Sequence, residues 1–362
     1  MKRKGFIYND ICSYENIELA LLNASKGKRH QSIVKRALHN RKKCIESIQM
    51  MLVNKTYTPS PYQIIELFDG ATKKRRTISK PRFYPDQIIH WALMLQIEPI
   101  IMKGMYLYNC GSIPGRGTSY GQKVIEKWMR NDPKCTKYCL KMDVSKYYPS
   151  VSNEIMKAKF RKKIKDRDCL WLIDQIIDSA QGLPIGNFTS QWFANFFLLD
   201  FDHFIKKQSG AHYYIRYVDD LVVFGSNKRK LHAIRKSVDE YLGNMKLIVK
   251  GNWQVFPIKS RSLDFLGLRF HRTHTTLRRK NSLRIRRRLR KISKKDKPSY
   301  QDACAIVSYW GWIKRSNSFK LCNDKIKCTV SIRKAKQVIS EYGKAKSIPN
   351  DSRVQSRDTL RC

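Results

Sequence analysis

The sequence predicts an α+β fold built on a split β-α-β unit with an antiparallel sheet. Three observations lead there. Tyr213-Tyr-Ile-Arg-Tyr-Val-Asp-Asp-Leu-Val-Val-Phe224 sets two β-rich runs on either side of Asp219 and Asp220, which predicts a hairpin with both carboxylates at its tip. Lys137-Tyr-Cys-Leu-Lys-Met-Asp-Val144 reads as a buried strand ending in one acid, Asp143. From there to Ser262–Phe270 the order runs strand, helices, strand, strand, helix, strand.

Composition bounds the class of partner. The chain has 362 residues, with 73 Lys+Arg against 29 Asp+Glu, a formal charge of +44. That excess points to a polyanion. Nucleic acid is favoured over a membrane surface, because basic residues occur along nearly the whole chain and no long apolar run exists. Ile88 to Met102 is the most apolar early stretch, but His90, Gln96, Glu98 and Pro99 interrupt it, and it is too short to span a bilayer. The basic start, Met-Lys-Arg-Lys-Gly-Phe, lacks an apolar signal core, so a cytoplasmic location is expected. The ten cysteines follow no zinc-like spacing, including Cys135 with Cys139 and Cys322 with Cys328; they read as reduced thiols.

The elements follow in order. Residues 1–55 read as a basic helical segment, with a short helix carrying Ile17, Leu19, Leu21 and Leu22 and a longer one from Ile33 to Val53. Tyr62–Phe68 and Thr72–Ser79 read as strands joined by an Asp69-Gly70 turn, the second bearing Lys73, Lys74, Arg75 and Arg76. An edge strand guarded by lysines would look the same. Pro85–Ile101 is an apolar helix that Pro99 bends or ends. In Cys110-Gly-Ser-Ile-Pro-Gly-Arg-Gly-Thr-Ser119, three glycines surround Arg116, and Thr118 or Ser119 is placed to cap a helix. Such a turn presents N–H groups to an anion, and Arg116 adds a bidentate phosphate contact; a plain capped loop is the alternative. Helices fill 153–180, the loop Gln181–Gln191 leads into an apolar helix through Phe204, and an amphipathic helix covers about 228–243. Residues 271–300 hold 13 Lys+Arg and one acid, Asp296. Ile285, Leu289 and Ile292 recur there at helical spacing, opposite a dense basic face of Arg284, Arg286, Arg287, Arg288 and Arg290 that suits a nucleic-acid backbone.

Chemistry follows from placement. An Asp-Asp turn is commonplace; a second acid-ended strand beside it is not. With the Asp143 strand next to the hairpin, Asp143 and Asp219 share two Mg²⁺ ions about 3.5–4 Å apart, one for a 3′-hydroxyl and one for a triphosphate. Phosphoryl transfer of this kind needs positioning and charge neutralisation rather than a side-chain nucleophile. Asp220 is expected to face the other side and to play a supporting role.

Tyr217-Val-Asp-Asp220, with Asp143-Val-Ser-Lys-Tyr-Tyr148 ahead of it, resembles the reverse transcriptases. Lys74-Arg-Arg-Thr-Ile78 looks like a fingers piece and Phe265-Leu-Gly-Leu268 like the primer grip, and the motif order holds from about residue 60 to 315. The resemblance implies a right-hand polymerase: a basic N-terminal segment 1–55, fingers 56–136, palm 137–270, helical thumb 271–345 and a flexible tail 346–362. It implies Asp143, Asp219 and Asp220 as catalytic acids, with Val144 joining them around Mg²⁺, for which Mn²⁺ can substitute. Arg76, Arg116, Tyr148, Ile185, Gly186 and Gln191 would bind the deoxynucleoside triphosphate, Tyr148 clashing with a ribose 2′-hydroxyl. Template RNA and the RNA–cDNA duplex are the implied partners.

A subclass is also suggested. Most reverse transcriptases carry Gln-Gly-x-x-x-Ser-Pro before the palm helix, whereas Ile185-Gly-Asn-Phe-Thr-Ser-Gln191 has isoleucine and glutamine at the two ends. That departure, together with Lys250-Gly-Asn-Trp-Gln-Val-Phe-Pro257 and Tyr309-Trp-Gly-Trp-Ile-Lys-Arg-Ser-Asn317, resembles the enzymes of diversity-generating retroelements, encoded by bacteria or phage. The resemblance implies copying of a template-repeat RNA with errors at adenines, mutagenic retrohoming into a target gene, and a small basic helical accessory variability protein oligomer as partner. A glutamine at 185 can hydrogen-bond the incoming nucleotide; isoleucine cannot, so selection that rests on a polar contact is lost. An isoleucine merely packed beneath the sheet is the alternative. Three rival classes stay open: a retron or group II intron-type enzyme, an RNA-dependent RNA polymerase, which Tyr148 argues against, and a non-catalytic RNA-binding or maturase-like protein.

Overall fold

The computed structural model describes residues 3–69, 74–295, 297–318 and 331–347. Gly70 of the expected turn, Lys73, Asp296, Cys322, Cys328 and the tail beyond Ser347 lie outside the described residues. The chain divides into two compact units, Met1–Ser260 and Arg261–Cys362.

The first unit opens with four helices, α1 (Tyr8–Cys12), α2 (Tyr14–Ser25), α3 (Ser32–His39) and α4 (Arg41–Val53). Ser13 caps α2 by accepting from the Asn16 N–H, and the buried positions Ile17, Ala20, Leu21 and Ala24 repeat at helical spacing. The single helix expected over 33–53 is two, because Asn40, at φ −96° and ψ 39°, leaves helical geometry between them. Strands β1 (Gln63–Asp69) and β2 (Lys74–Lys80) form a two-stranded antiparallel ribbon. Helix α5 (Ile88–Met102) follows, with His90 buried in it. Pro99 does not end α5. It forfeits only the one bond its own nitrogen would have donated, and its carbonyl still accepts from the Lys103 N–H.

Next come α6 (Thr118–Asn131), β3 (Tyr138–Asp143), the short α7 (Tyr147–Ser150), α8 (Asn153–Lys163) and α9 (Arg167–Asp178). The apolar stretch expected as one helix through Phe204 is α10 (Phe188–Phe197) and α11 (Leu199–Lys207), broken at Leu198. Strands β4 (Tyr213–Tyr217) and β5 (Asp220–Gly225), helix α12 (Lys228–Asn244) and β6 (Gln254–Pro257) complete the unit. Its sheet runs β4-β5-β3-β6 with every neighbouring pair antiparallel, as the sequence predicts. Leu221, Val222, Val223 and Phe224 are all buried, so β5 is covered on both faces, and α12 packs on β3, β5 and β6.

The second unit has its own sheet of β7 (Leu263–Phe265), β8 (Leu268–Phe270) and β9 (Thr275–Leu277). Leu263–Phe270 therefore belongs to the second compact unit. Gly267 makes the β7–β8 turn at φ +79°, where a Cβ would lie 2.5 Å from the Trp312 ring. Helices α13 (Arg279–Ile292), α14 (Tyr300–Ile313) and α15 (Ile332–Ser347) follow. On α13 the buried residues are Ile285, Leu289 and Ile292, the face the periodicity marked. No helix among the described residues is long and apolar enough to cross a membrane.

Candidate active site

The hairpin turn sits one residue earlier than the acidic pair. Tyr217 pairs with Asp220, so the two turn residues are Val218 and Asp219, and Asp220 is the first residue of β5. Val218 takes a left-handed φ of +57°, unusual for a β-branched side chain. The Asp219 carbonyl accepts from the Val144 N–H at 3.2 Å, which ties the turn to the end of β3. The ladder sets Asp143 opposite Asp220. Directly opposed strand residues share a face, so Asp220 and Asp143 lie on the same face of the sheet.

These acids strain against each other. Burial, then the Asp143 charge, then that of Asp220 push the Asp219 carboxyl from 3.8 up to about 7. One oxygen of Asp143 accepts from Lys250 Nζ; the other, Oδ1, is buried without a hydrogen-bond partner. Among the described residues no three His, Cys, Asp or Glu side chains gather as a metal cluster. The donor set is nonetheless that of a hard divalent cation: two converging carboxylates, one with an orphaned oxygen. Val144 is apolar and fully buried, so only its main chain can contribute.

Beside Asp219 opens a cavity of about 730 Å³ lined by Arg76, Tyr148, Ile185, Gly186 and Gln191, five of the six predicted substrate residues. Tyr148 lies on α7; burial and the Asp219 charge raise its phenol to about 12, and its carbonyl accepts from the Leu183 N–H at 2.8 Å. The Ile185-Gly186 loop docks on β2. The Ser79 N–H donates to the Ile185 carbonyl at 2.8 Å, and Gly186, at φ +136°, approaches so closely that a Cβ would lie 2.4 Å from the Ser79 carbonyl oxygen. Ile185 is 43% exposed; it faces the cavity and is not packed under the sheet. Gln191 stands in the first turn of α10.

Arg116 is not brought to this cavity. Its Nη1 donates to the Tyr106 carbonyl at 3.1 Å, and the helix it precedes has Gly117, not Thr118 or Ser119, at the N-cap. The glycine loop serves close approach instead: a Cβ on Gly111 would lie 2.6 Å from the Val218 nitrogen. In α13, Arg284, Arg286, Arg287 and Arg290 are exposed, but Arg288 donates to the buried Asp302 at 2.7 Å. Lys295 holds the other oxygen of Asp302 at 2.6 Å, so Arg288 is a clamp between α13 and the start of α14.

Sequence reasoning missed Lys26, Lys28, Gln87 and Trp91 on the cavity wall. Lys28 Nζ donates to the neutral Gln87 side chain, and burial together with the Lys80 charge lowers its pKa. Local sequence holds no signal that a turn after α2 reaches residues so far along the chain.

Residues 69–270 match the family model described as reverse transcriptase (RNA-dependent DNA polymerase). No curated protein matches the chain in sequence. Among solved structures, apo telomerase from Candida Tropicalis is similar at a TM-score of 0.47 and 13% identity, over 83% of this chain and 63% of that one. Telomerase from Candida albicans, in complex with a TWJ fragment of telomeric RNA, gives 0.48 and 11%, over 83% and 62%. The chain thus spans less than two thirds of either telomerase's length.

Proposed function

We propose that this chain, which belongs to the reverse transcriptase (RNA-dependent DNA polymerase) family, is an RNA-directed DNA polymerase that copies a template-repeat RNA into cDNA with errors at adenines. The observation that carries the reading is the Asp143–Asp219 pair beside a cavity walled by Tyr148 and by an exposed Ile185. The cavity, at about 730 Å³, is within the range that encloses a ligand of nucleotide size. Asp143, Asp219, Asp220 and the Val144 main chain hold Mg²⁺, or Mn²⁺ in its place, which when bound neutralises the triphosphate and lowers the pKa of the primer 3′-hydroxyl.

The chain's own residues do the rest. Arg76 with Lys26 and Lys28 surrounds the nucleotide with positive charge, and Tyr148 fills the space a ribose 2′-hydroxyl would need. Gly186 lets the loop backbone approach β2 and fixes Ile185 at the wall. Ile185 offers apolar contact and no hydrogen bond, so discrimination between pairs rests on shape alone. In this reading residues 56–136 are the fingers, 137–270 the palm and 271–345 the thumb. Template RNA and its cDNA duplex are the ligands of the basic surface, and an accessory oligomer is the protein partner for retrohoming.

The test is extension of a primer on an RNA template by the purified chain with Mg²⁺, followed by sequencing of the cDNA. Incorporation is expected, with errors concentrated opposite adenines; none in a folded preparation sinks the polymerase reading. Ile185→Gln should lower misincorporation opposite adenine about 2- to 10-fold, the effect of one recovered hydrogen bond of about 0.5–1.5 kcal/mol. Equal adenine error fractions with synthesis intact would place the infidelity elsewhere in the pocket.

A further inference from the structure

The Val218–Asp219 turn rests on buried polar groups that none of the roles above uses. Arg216 is completely buried, and so is Asp202 on α11. Arg216 Nε donates to Asp202 Oδ1 at 2.7 Å and Nη2 to Oδ2 at 2.5 Å. The Tyr214 hydroxyl also donates to Asp202 Oδ1, at 2.7 Å. Arg216 Nη1 is left for two acceptors: the Val218 carbonyl at 3.0 Å and Asn195 Oδ1 at 3.3 Å. Asn195, on α10, donates its Nδ2 to the Gly111 carbonyl at 2.6 Å, and its oxygen also accepts from Asn109 Nδ2 at 3.0 Å. The Gly111 N–H in turn donates to Asn109 Oδ1 at 3.3 Å. The main chain adds to this: the Cys110 N–H donates to the Arg216 carbonyl at 2.8 Å and the Arg216 N–H to the Tyr108 carbonyl at 3.1 Å.

A buried ion pair is weak as a source of stability, since apolar packing of the same volume does as well or better. Its geometry is what stands out here. A rigid guanidinium fork is locked on one side by Asp202, and its remaining arm grips the carbonyl of a valine in the left-handed region. Gly111 lies against the same valine, where a Cβ would fall 2.6 Å from the Val218 nitrogen. We propose that Asp202, Arg216, Asn195 and Gly111 form a buried buttress that holds Val218 left-handed and thereby aims the Asp219 carboxylate at the cation site. Arg216 and Asn195 are positioning residues; they touch neither cation nor nucleotide. The purpose of the buttress rests on the polymerase reading, but its effect on cation affinity does not.

The test measures Mn²⁺ binding to the full chain by the loss of the free-ion magnetic resonance signal, for wild type, Asn195→Ala and Gly111→Ala. Circular dichroism and melting curves establish that each is folded. Asn195→Ala leaves the Asp202–Arg216 pair in place. Gly111→Ala removes no hydrogen bond and only forces the turn outward, so it decides the matter if the first variant does not fold. Half-saturating Mn²⁺ is expected to rise about 10- to 100-fold in both, as when groups that orient metal ligands are removed. The Mg²⁺ needed for half-maximal incorporation should rise with it, which a loss of stability alone would not produce. Unchanged Mn²⁺ affinity in a folded variant overturns the proposal, and so does a wild type that binds no Mn²⁺. If Mn²⁺ binds and the variants weaken it, but no nucleotide is ever incorporated, the buttress stands and the polymerase reading falls.

Discussion

Asp219 concentrates the electrostatics of the site. Its carboxyl sits near 7 in the folded chain against an ordinary 3.8. Between those values the folded state binds a proton that the unfolded state has released, so stability without a cation falls as pH rises through that window. Below about pH 4 both states are protonated and the penalty vanishes. Asp219→Asn, which cannot ionise, should therefore raise the melting temperature at pH 8 in the absence of divalent ions and leave it nearly unchanged near pH 4. Added Mg²⁺ should stabilise wild type more at pH 8 than at pH 5, and the variant less at both. Calorimetry across that range checks this; an identical Mg²⁺ shift in the two proteins would remove Asp219 from the cation site. Tyr148 makes a separate prediction. Tyr148→Ala should move single-nucleotide incorporation toward rATP over dATP on one primer, because the half-buried ring no longer fills the space beside Asp219. A ratio that stays put means another group excludes the 2′-hydroxyl.

At the scale of elements, helix α13 separates two jobs within one arginine run. Arg284, Arg286, Arg287 and Arg290 face solvent, whereas Arg288 and Lys295 share the buried Asp302, which also closes the Ser299 capping box of α14. Arg288→Gln is expected to cost about 1 kcal/mol of stability, modest because the guanidinium is 40% exposed and Lys295 remains. Arg286→Gln and Arg287→Gln should leave stability within about 0.5 kcal/mol and weaken nucleic-acid binding instead. Denaturant melts and binding assays on the same variants distinguish the two sets; equal stability losses would refute the division.

For the whole molecule, a formal charge of +44 makes nucleic-acid affinity strongly dependent on salt. The slope of log K against log salt should be about −0.7 to −0.9 per phosphate neutralised, depending on whether the ligand is single- or double-stranded. Removing Arg284, Arg286 and Arg287 together should flatten that slope by about 2 to 3. An unaltered slope would assign the phosphate contacts to the basic residues of the first unit, such as Lys26 and Lys28 on the cavity wall.

Much of this was legible in the sequence because it is local or periodic. The apolar runs of β3 and β5, each with an acid at its end, predicted the antiparallel pair that joins Asp143 to the hairpin. The spacing of Ile285, Leu289 and Ile292 marked the buried face of α13. Helix breaks at Asn40 and Leu198 were not legible, since both interrupt stretches whose composition suits a continuous helix. Long-range partners were harder still. Arg116 and Arg288 look like free cations until the fold supplies the Tyr106 carbonyl and Asp302. Lys28 looks like part of a solvated basic segment until the turn after α2 reaches Gln87. Which strands form and which acids end them follows from local chemistry, because side-chain alternation and turn preferences act over a few residues. Which charges are already paired and which line the cavity emerges with the fold, because pairing depends on groups that the chain brings together from far apart.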